Sequence, residues 1–260
     1  MTDEKRTLKG GPETASRRSR KRQPKQHPYS FSEARGRLSP MLEQTVEHLS
    51  RLPDKACPDD TAVVGLTLHP EYIAKSYFPG ALLRDRKVEV VGSIPVDITP
   101  EKRSRGRPPE KMRSTQLFAR ATREVFKSWC DALPDWQPDS QTLKDNLRAL
   151  ESISALEPRL NIRGEFERGE VIEMELVLHV LGFENAKLLK LFSQYLESIG
   201  LDDALRDHYE TPELCYCGVG APVERAGDIA RFSAVRVLRT MPRLRKLEPP
   251  VGILRQVPFE

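Results

Sequence analysis

Five histidines, four cysteines and three close pairs of carboxylates are the residues whose types and spacing invite a chemical reading. The histidines are His27, His48, His69, His179 and His208. A hydrolytic triad needs a serine on a tight, glycine-lined turn that exposes its oxygen beside an oxyanion hole. No Gly-x-Ser-x-Gly or Gly-Thr-Ser turn occurs, no histidine precedes a glycine, and no His-Glu-x-x-His pair is present. These residues therefore assemble neither a serine hydrolase nor a zincin, and no catalytic residue is assigned. Phosphate-cradling glycine loops of the Gly-x-Gly-x-x-Gly or Gly-x-x-x-x-Gly-Lys type are missing as well.

Cys215 and Cys217 form a Cys-x-Cys pair with His208 upstream, and on a strand both sulfurs face one side. A closed zinc site takes four ligands, and Cys57 and Cys130 are too remote in sequence to complete it. The pair reads as small buried hydrophobes, and no metal or other cofactor is expected. Glu173 and Glu175 share a strand face, where carboxylates serve solvation; Asp59-Asp60 and Asp202-Asp203 fall in connectors. None has a setting that would shift its pKa toward acid–base work. His69 and His179 are expected as ordinary histidines on the polar face of a sheet.

Charge is distributed unevenly. Residues 1–30 carry nine basic side chains against three acidic ones, a balance of +6, so the rest of a chain with net charge +4 sums to −2. That stretch has almost no apolar residues, cannot recover its ordering entropy by burial, and is expected to be disordered. A second basic run, Arg103-Ser104-Arg105-Gly106-Arg107-Pro108, contains Arg-Gly-Arg-Pro, which looks like an AT-hook core. Two readings stand: a solvated loop, or arginines that enter a narrow minor groove, with Arg103, Arg105 and Arg107 as the nucleic-acid contacts.

The elements that must position these residues follow from periodicity. Residues 30–52 read as helical, with Ser30 or Ser32 as cap, Leu42, Val46 and Leu49 on one face, and Pro40 as a candidate break. Val64, Leu66 and Leu68 alternate with Gly65, Thr67 and His69 as a half-buried strand. Two short helical pieces divided at Pro79-Gly80 lead to a strand over residues 87–98, where Pro95 suggests a sheet edge. A polar loop over residues 99–113, a short strand over 115–119, and helices over 124–133 and 141–153 complete the first half. In the second half a long strand alternates through Ile172, Met174, Leu176 and Leu178. Then come a helix over 184–199 stopped by Gly200, strands over 206–210 and 214–219, a short helix over 222–232 and a strand over 233–239.

This half is β-α-β-β-α-β, the split ferredoxin-like order, and the first half is β-α-β-β-α. The expected fold class is α+β: two ferredoxin-like-type modules, each an antiparallel sheet with helices on one face. The expected divisions are a disordered basic tail over 1–29, an N-terminal α+β module over 30–158, a ferredoxin-like module over 159–241 and an extended proline-rich linker over 242–260. Hydrophobic residues at 38% suffice for such cores, and 21 prolines in 260 residues fit long connectors. No run approaches the roughly 18 apolar residues of a membrane span, the charged opening reads without a secretory signal, and the few cysteines read as reduced, so a cytoplasmic protein without membrane contact is expected.

The text Leu66-Thr67-Leu68-His69-Pro70-Glu71-Tyr72-Ile73-Ala74-Lys75-Ser76-Tyr77-Phe78-Pro79, with Val91-Gly92-Ser93-Ile94-Pro95-Val96 and Thr115-Gln116-Leu117-Phe118, resembles the N-terminal region of a group of bacterial subtilisin-like serine proteases. These S8-type subtilases are encoded beside a AAA+ ATPase in two-gene systems for plasmid maintenance and phage defence, arranged like toxin–antitoxin pairs. Arg236-Val237-Leu238-Arg239-Thr240-Met241-Pro242-Arg243-Leu244-Arg245 looks like the segment just before their catalytic domain. The likeness runs from about residue 28 to 247. The family's aspartate, His-Gly and Gly-Thr-Ser blocks have no counterpart in these residues, so the resemblance implies a non-catalytic pro- or regulatory region of a serine endopeptidase. It implies a subtilisin-like catalytic domain as partner, in cis or in trans, and a AAA+ ATPase beside it. In subtilisin pro-regions the sheet packs on the protease and the C-terminal tail lies in the substrate cleft, which points to Met241, Pro242, Leu244 and Leu247 as cleft residues. A nucleic-acid-binding accessory protein is the alternative.

Overall fold

The computed structural model describes residues 27–156, 159–161, 169–182 and 184–241. The basic tail, apart from residues 27–29, lies outside the described residues, as do Pro242, Leu244 and Leu247.

Helix α1 (Phe31–Ser50) opens with a reciprocal cap: the Glu33 N–H donates to Ser30 Oγ at 3.2 Å and the Ser30 N–H to Glu33 Oε2 at 2.7 Å. Pro40 does not divide it. Ala34, Leu38, Leu42, Thr45 and Leu49 form one continuous buried stripe, and packing along that stripe holds the helix together across the lost hydrogen bond. The first sheet takes β1 (Thr61–Leu68), β2 (Glu89–Ile98), β3 (Met112–Thr122) and β4 (Leu150–Ala155) in the order β2-β3-β1-β4, with every pairing antiparallel. Helices α2 (Gly80–Asp85), α3 (Arg123–Ala132) and α4 (Gln141–Arg148) join α1 around one core. In that core Ala62, Val64 and Leu66 of β1 meet Leu117 and Ala119 of β3, with Phe126 and Trp129 of α3 above them. Pro95 does sit on an edge strand.

One expected helix divides. Residues 141–153 are helical only to Arg148; the chain turns at Ala149 and enters β4. Leu147, Leu150 and Ile153 are spaced as on a helix, yet Leu150 and Ile153 are buried from a strand paired to β1. That strand completes the first module as β-α-β-β-α-β.

The second sheet runs β5-β9-β6-β8-β7, from β5 (Arg159–Asn161), β6 (Val171–His179), β7 (Leu205–Glu210), β8 (Leu214–Pro222) and β9 (Val235–Thr240). β5 pairs parallel to β9, and all other pairings are antiparallel. Helices α5 (Asn185–Ser198) and α6 (Ala226–Ile229) cover one face. Without β5, the order is fourth-first-third-second, the same permutation as in the first sheet. The protein is therefore α+β, with two sheet modules of ferredoxin-like order. No helix among the described residues is long and apolar enough to cross a membrane.

The modules meet where the end of β6 and the start of β9 approach the helix-free face of the first sheet. Ser233 donates its N–H to the Ala56 carbonyl at 2.7 Å and its hydroxyl to the Thr61 carbonyl at 2.8 Å. Val63 and Phe118, which point away from the first core, belong to the second. β1 is buried on both faces: Val63 packs into the second core and Gln116 and Ser154 lie over Gly65, so that Gly65 and Thr67, expected on a wet face, are buried like Leu66. His69 and His179, expected on the polar face of a sheet, have no exposed surface: His69 packs against Tyr29 and Tyr72 of its own module, and His179 against Phe118 of the other.

Candidate functional site

The helix-free face of the second sheet is built by the odd positions of β6. Ile172, Met174, Leu176 and Leu178 enter the core, so Glu173, Glu175 and Val177 point the other way. Opposite them in register lie Gly220, Gly218 and Tyr216 of β8. The two glycines have a steric purpose: a Cβ on Gly218 would come within 3.0 Å of Arg206 Cβ, and one on Gly220 within 2.7 Å of Arg206 Nη2. Arg206 of β7 lies across them and reaches Glu173 at 3.6 Å, while Arg239 of β9 pairs with Glu175. The paired glutamates are thus each matched to an arginine, the arrangement of a packed surface rather than of an acid–base couple.

Two apolar groups stand on this face. Tyr209 is 70% exposed and its ring lies 6.4 Å from that of Tyr216. Met241 extends the β9 pairing, donating its N–H to the Glu173 carbonyl at 2.9 Å, and its methyl lies over Gly218. Of the residues expected in a protease cleft, Met241 alone falls among those described.

The other sequence candidates are placed as follows. Cys215 and Cys217 point into the core with their sulfurs 3.7 Å apart; the hydrogen bond with Cys215 together with burial pushes the Cys217 thiol up. His208 pairs with Glu210 at 3.4 Å instead of approaching the sulfurs. Among the described residues no group of three or more His, Cys, Asp or Glu is placed to hold a metal. Arg103 and Arg107 converge on Glu71, at 3.9 and 2.7 Å, and Arg103 also meets Glu110 at 2.7 Å. Arg105 sits at the tip of the turn with φ +63° and has no carboxylate partner among the described residues.

A buried polar network joins residues far apart in the sequence. The Tyr29 hydroxyl lies 3.0 and 3.1 Å from the two carboxylate oxygens of Glu151. Arg37 reaches Glu151 at 3.2 Å and Glu101 at 2.8 Å while stacking 4.0 Å from the Tyr29 ring centroid. Burial, then the Glu151 charge, pushes the Tyr29 phenol far above its usual range. His69 Nδ1 accepts the Glu71 N–H, so Nε2 carries the proton and donates to the Lys102 carbonyl at 2.9 Å. With its oxygens so engaged, Glu151 ties α1 to β4 and the loop after β2. These residues are up to 122 positions apart, and no local pattern announces them.

No protein-family model and no curated protein matches this chain. Among solved structures, the crystal structure of an unknown protein from Galdieria sulphuraria is similar over 65% of this chain and 86% of that one, at 11% identity and a TM-score of 0.19.

Proposed function

We propose that this chain is a non-catalytic, cytoplasmic regulatory region of a subtilisin-like serine protease, whose second module docks on the catalytic domain through its helix-free sheet face. The observation that carries the reading is the position of Met241. The residue at which the expected cleft segment begins is itself seated over Gly218 on the helix-free face, the face that also carries exposed Tyr209. The ferredoxin-like order of that module supports it at the level of fold analogy. A AAA+ ATPase as further partner rests on the sequence resemblance alone. The nucleic-acid alternative has less support, since Arg103 and Arg107 are held by Glu71, from the turn after β1, and Arg103 also by Glu110 of its own loop.

The test pairs residues 1–260 with a separately produced subtilase domain and follows hydrolysis of a chromogenic peptide. Inhibition is expected, weakened about tenfold or more by Tyr209→Asp, which places an uncompensated charge in the contact. Equal inhibition by both forms removes the sheet face from the reading, and no binding to any subtilase domain removes the reading itself.

A further inference from the structure

Where the two modules meet, a cleft of about 650 Å3 opens between α1, the helix-free face of the first sheet and β9. That volume lies within the range of about 300–1,000 Å3 typical of small-molecule sites. Its walls are apolar at Met41, Ile94, Ile153 and Leu156, and its polar side chains are Gln44, Thr45, His48, Gln116, Ser154 and Arg236. No acidic residue lines it.

Arg236 is the decisive group. Its guanidinium lies 5.1 Å from the Phe118 ring centroid and donates a long hydrogen bond, 3.4 Å, to the Ser93 carbonyl. The Gly92 backbone lies beside it: a Cβ there would stand in van der Waals contact, 3.4 Å from Arg236 Nη1. The cation is thereby held in one place, half-buried, with no carboxylate partner among the described residues. Stacking on Phe118 and one long hydrogen bond leave most of the guanidinium's donors without a protein acceptor, open to an anion. Around it, the Gln116 amide and the Ser154 hydroxyl lie together over Gly65, where a Cβ would come within 2.6 and 3.3 Å of them. Neither side chain has a hydrogen-bond partner among the described residues, so both keep donors and acceptors for a ligand.

We propose that this cleft binds a carboxylate carried on an apolar stem. The carboxylate pairs with the Arg236 fork, the stem lies against Ile94 and Met41, and Gln116 and Ser154 bond the polar atoms between. A planar guanidinium matches a carboxylate bidentately, and a phosphate dianion would bring two charges to one arginine. The two sources of such a ligand are a free small acid and the C-terminus of a peptide. Nothing in this inference depends on the protease reading.

The experiment is calorimetric titration of the full chain with N-acetyl-leucine, with its amide, and with the peptide N-acetyl-Ala-Ala-Leu. The acid is expected to bind about tenfold or more tightly than the amide, and Arg236→Gln to erase the difference with an unchanged melting temperature. If Arg236→Gln does not fold, Gln116→Leu takes its place and is expected to weaken the acid severalfold. Tighter binding of the tripeptide than of N-acetyl-leucine assigns the site to peptide C-termini, and equal binding assigns it to small acids. Absence of binding by both acids, equal binding of acid and amide, or undiminished preference in the variants overturns the proposal.

Discussion

The imidazole of His179, from the last residue of β6, packs 4.8 Å from the ring of Phe118 in β3 and so joins the two modules through a polar ring in an apolar seat. Both its ring nitrogens are buried without a hydrogen-bond partner, and the Arg236 guanidinium lies against the same Phe118 ring. Burial, with Arg236 adding to it, draws the His179 pKa from 6.5 to about 4. The contact therefore requires a neutral imidazole.

A pH dependence of stability follows. Between its ordinary value of 6.5 and about 4, the unfolded chain binds a proton at His179 that the folded chain refuses. The stabilisation is thus complete above pH 6.5, falls as the pH drops toward 4, and falls no further below that, for a total of up to about 3 kcal/mol. His179→Phe keeps the ring and removes the titration. Urea midpoints at pH 7.5 and pH 4.5 should lie closer together in the variant than in the parent; equal separations would place the acid sensitivity elsewhere.

Glu151 is the second lever. Its carboxylate accepts from Tyr29, Arg37 and the Glu101 N–H, and its side chain is only 7% exposed. Glu151→Leu leaves the Tyr29 hydroxyl without its acceptor and the Glu101 N–H unpaired, and reduces Arg37 to its single carboxylate partner Glu101, a loss on the order of 3 kcal/mol. Guanidinium unfolding at pH 7 checks it. A change below about 0.5 kcal/mol, the scale of an exposed pair, would mean that the network is solvated.

Thiol reactivity tests the placement of the cysteines. Cys57, Cys215 and Cys217 are buried, and burial raises the Cys57 thiol pKa; Cys130 is half-buried, its thiol raised by burial and by Asp131. In the native protein an aromatic disulfide reagent should label Cys130 alone, slowly, and all four thiols only after denaturation. Prompt labelling of Cys215 or Cys217 would contradict their place in the core.

The sequence carried the strands whose alternation is set by a single core, such as Ile172 through Leu178, because one buried face is a local property of the chain. It did not carry β4, where Leu147, Leu150 and Ile153 keep helical spacing across a change of element and no glycine or proline marks the turn at Ala149. Nor did it carry the fate of the supposed wet faces. Gly65, Thr67 and His179 alternate with core residues as surface positions do, yet each is buried, Gly65 beneath Gln116 and Ser154 and His179 against Phe118 of the other module. Arg236 has no local signature, because the Phe118 ring on which it stacks lies 118 positions earlier. Tertiary cover of this kind leaves no periodic trace.

Two glycines separate backbone strain from contact across the junction. Gly182 (φ +76°) and Gly200 (φ +74°) have nearly the same left-handed conformation. A Cβ at Gly200 meets nothing within 4 Å, whereas one at Gly182 would stand 2.7 Å from both terminal nitrogens of Arg120, a guanidinium held by Glu89 at 2.6 Å. Gly200→Ala should then cost only the conformational strain, about 1 kcal/mol, and Gly182→Ala that strain plus the displacement of Arg120, about 2 kcal/mol in all. Arg120→Ala in the Gly182→Ala background should bring its cost down to that of Gly200→Ala, measured as the difference from Arg120→Ala alone. Because Arg120 belongs to the first sheet and Gly182 to the loop after β6, a measured coupling would report the closeness of the two modules in solution; equal costs for the two glycines, with no effect of Arg120, would separate them.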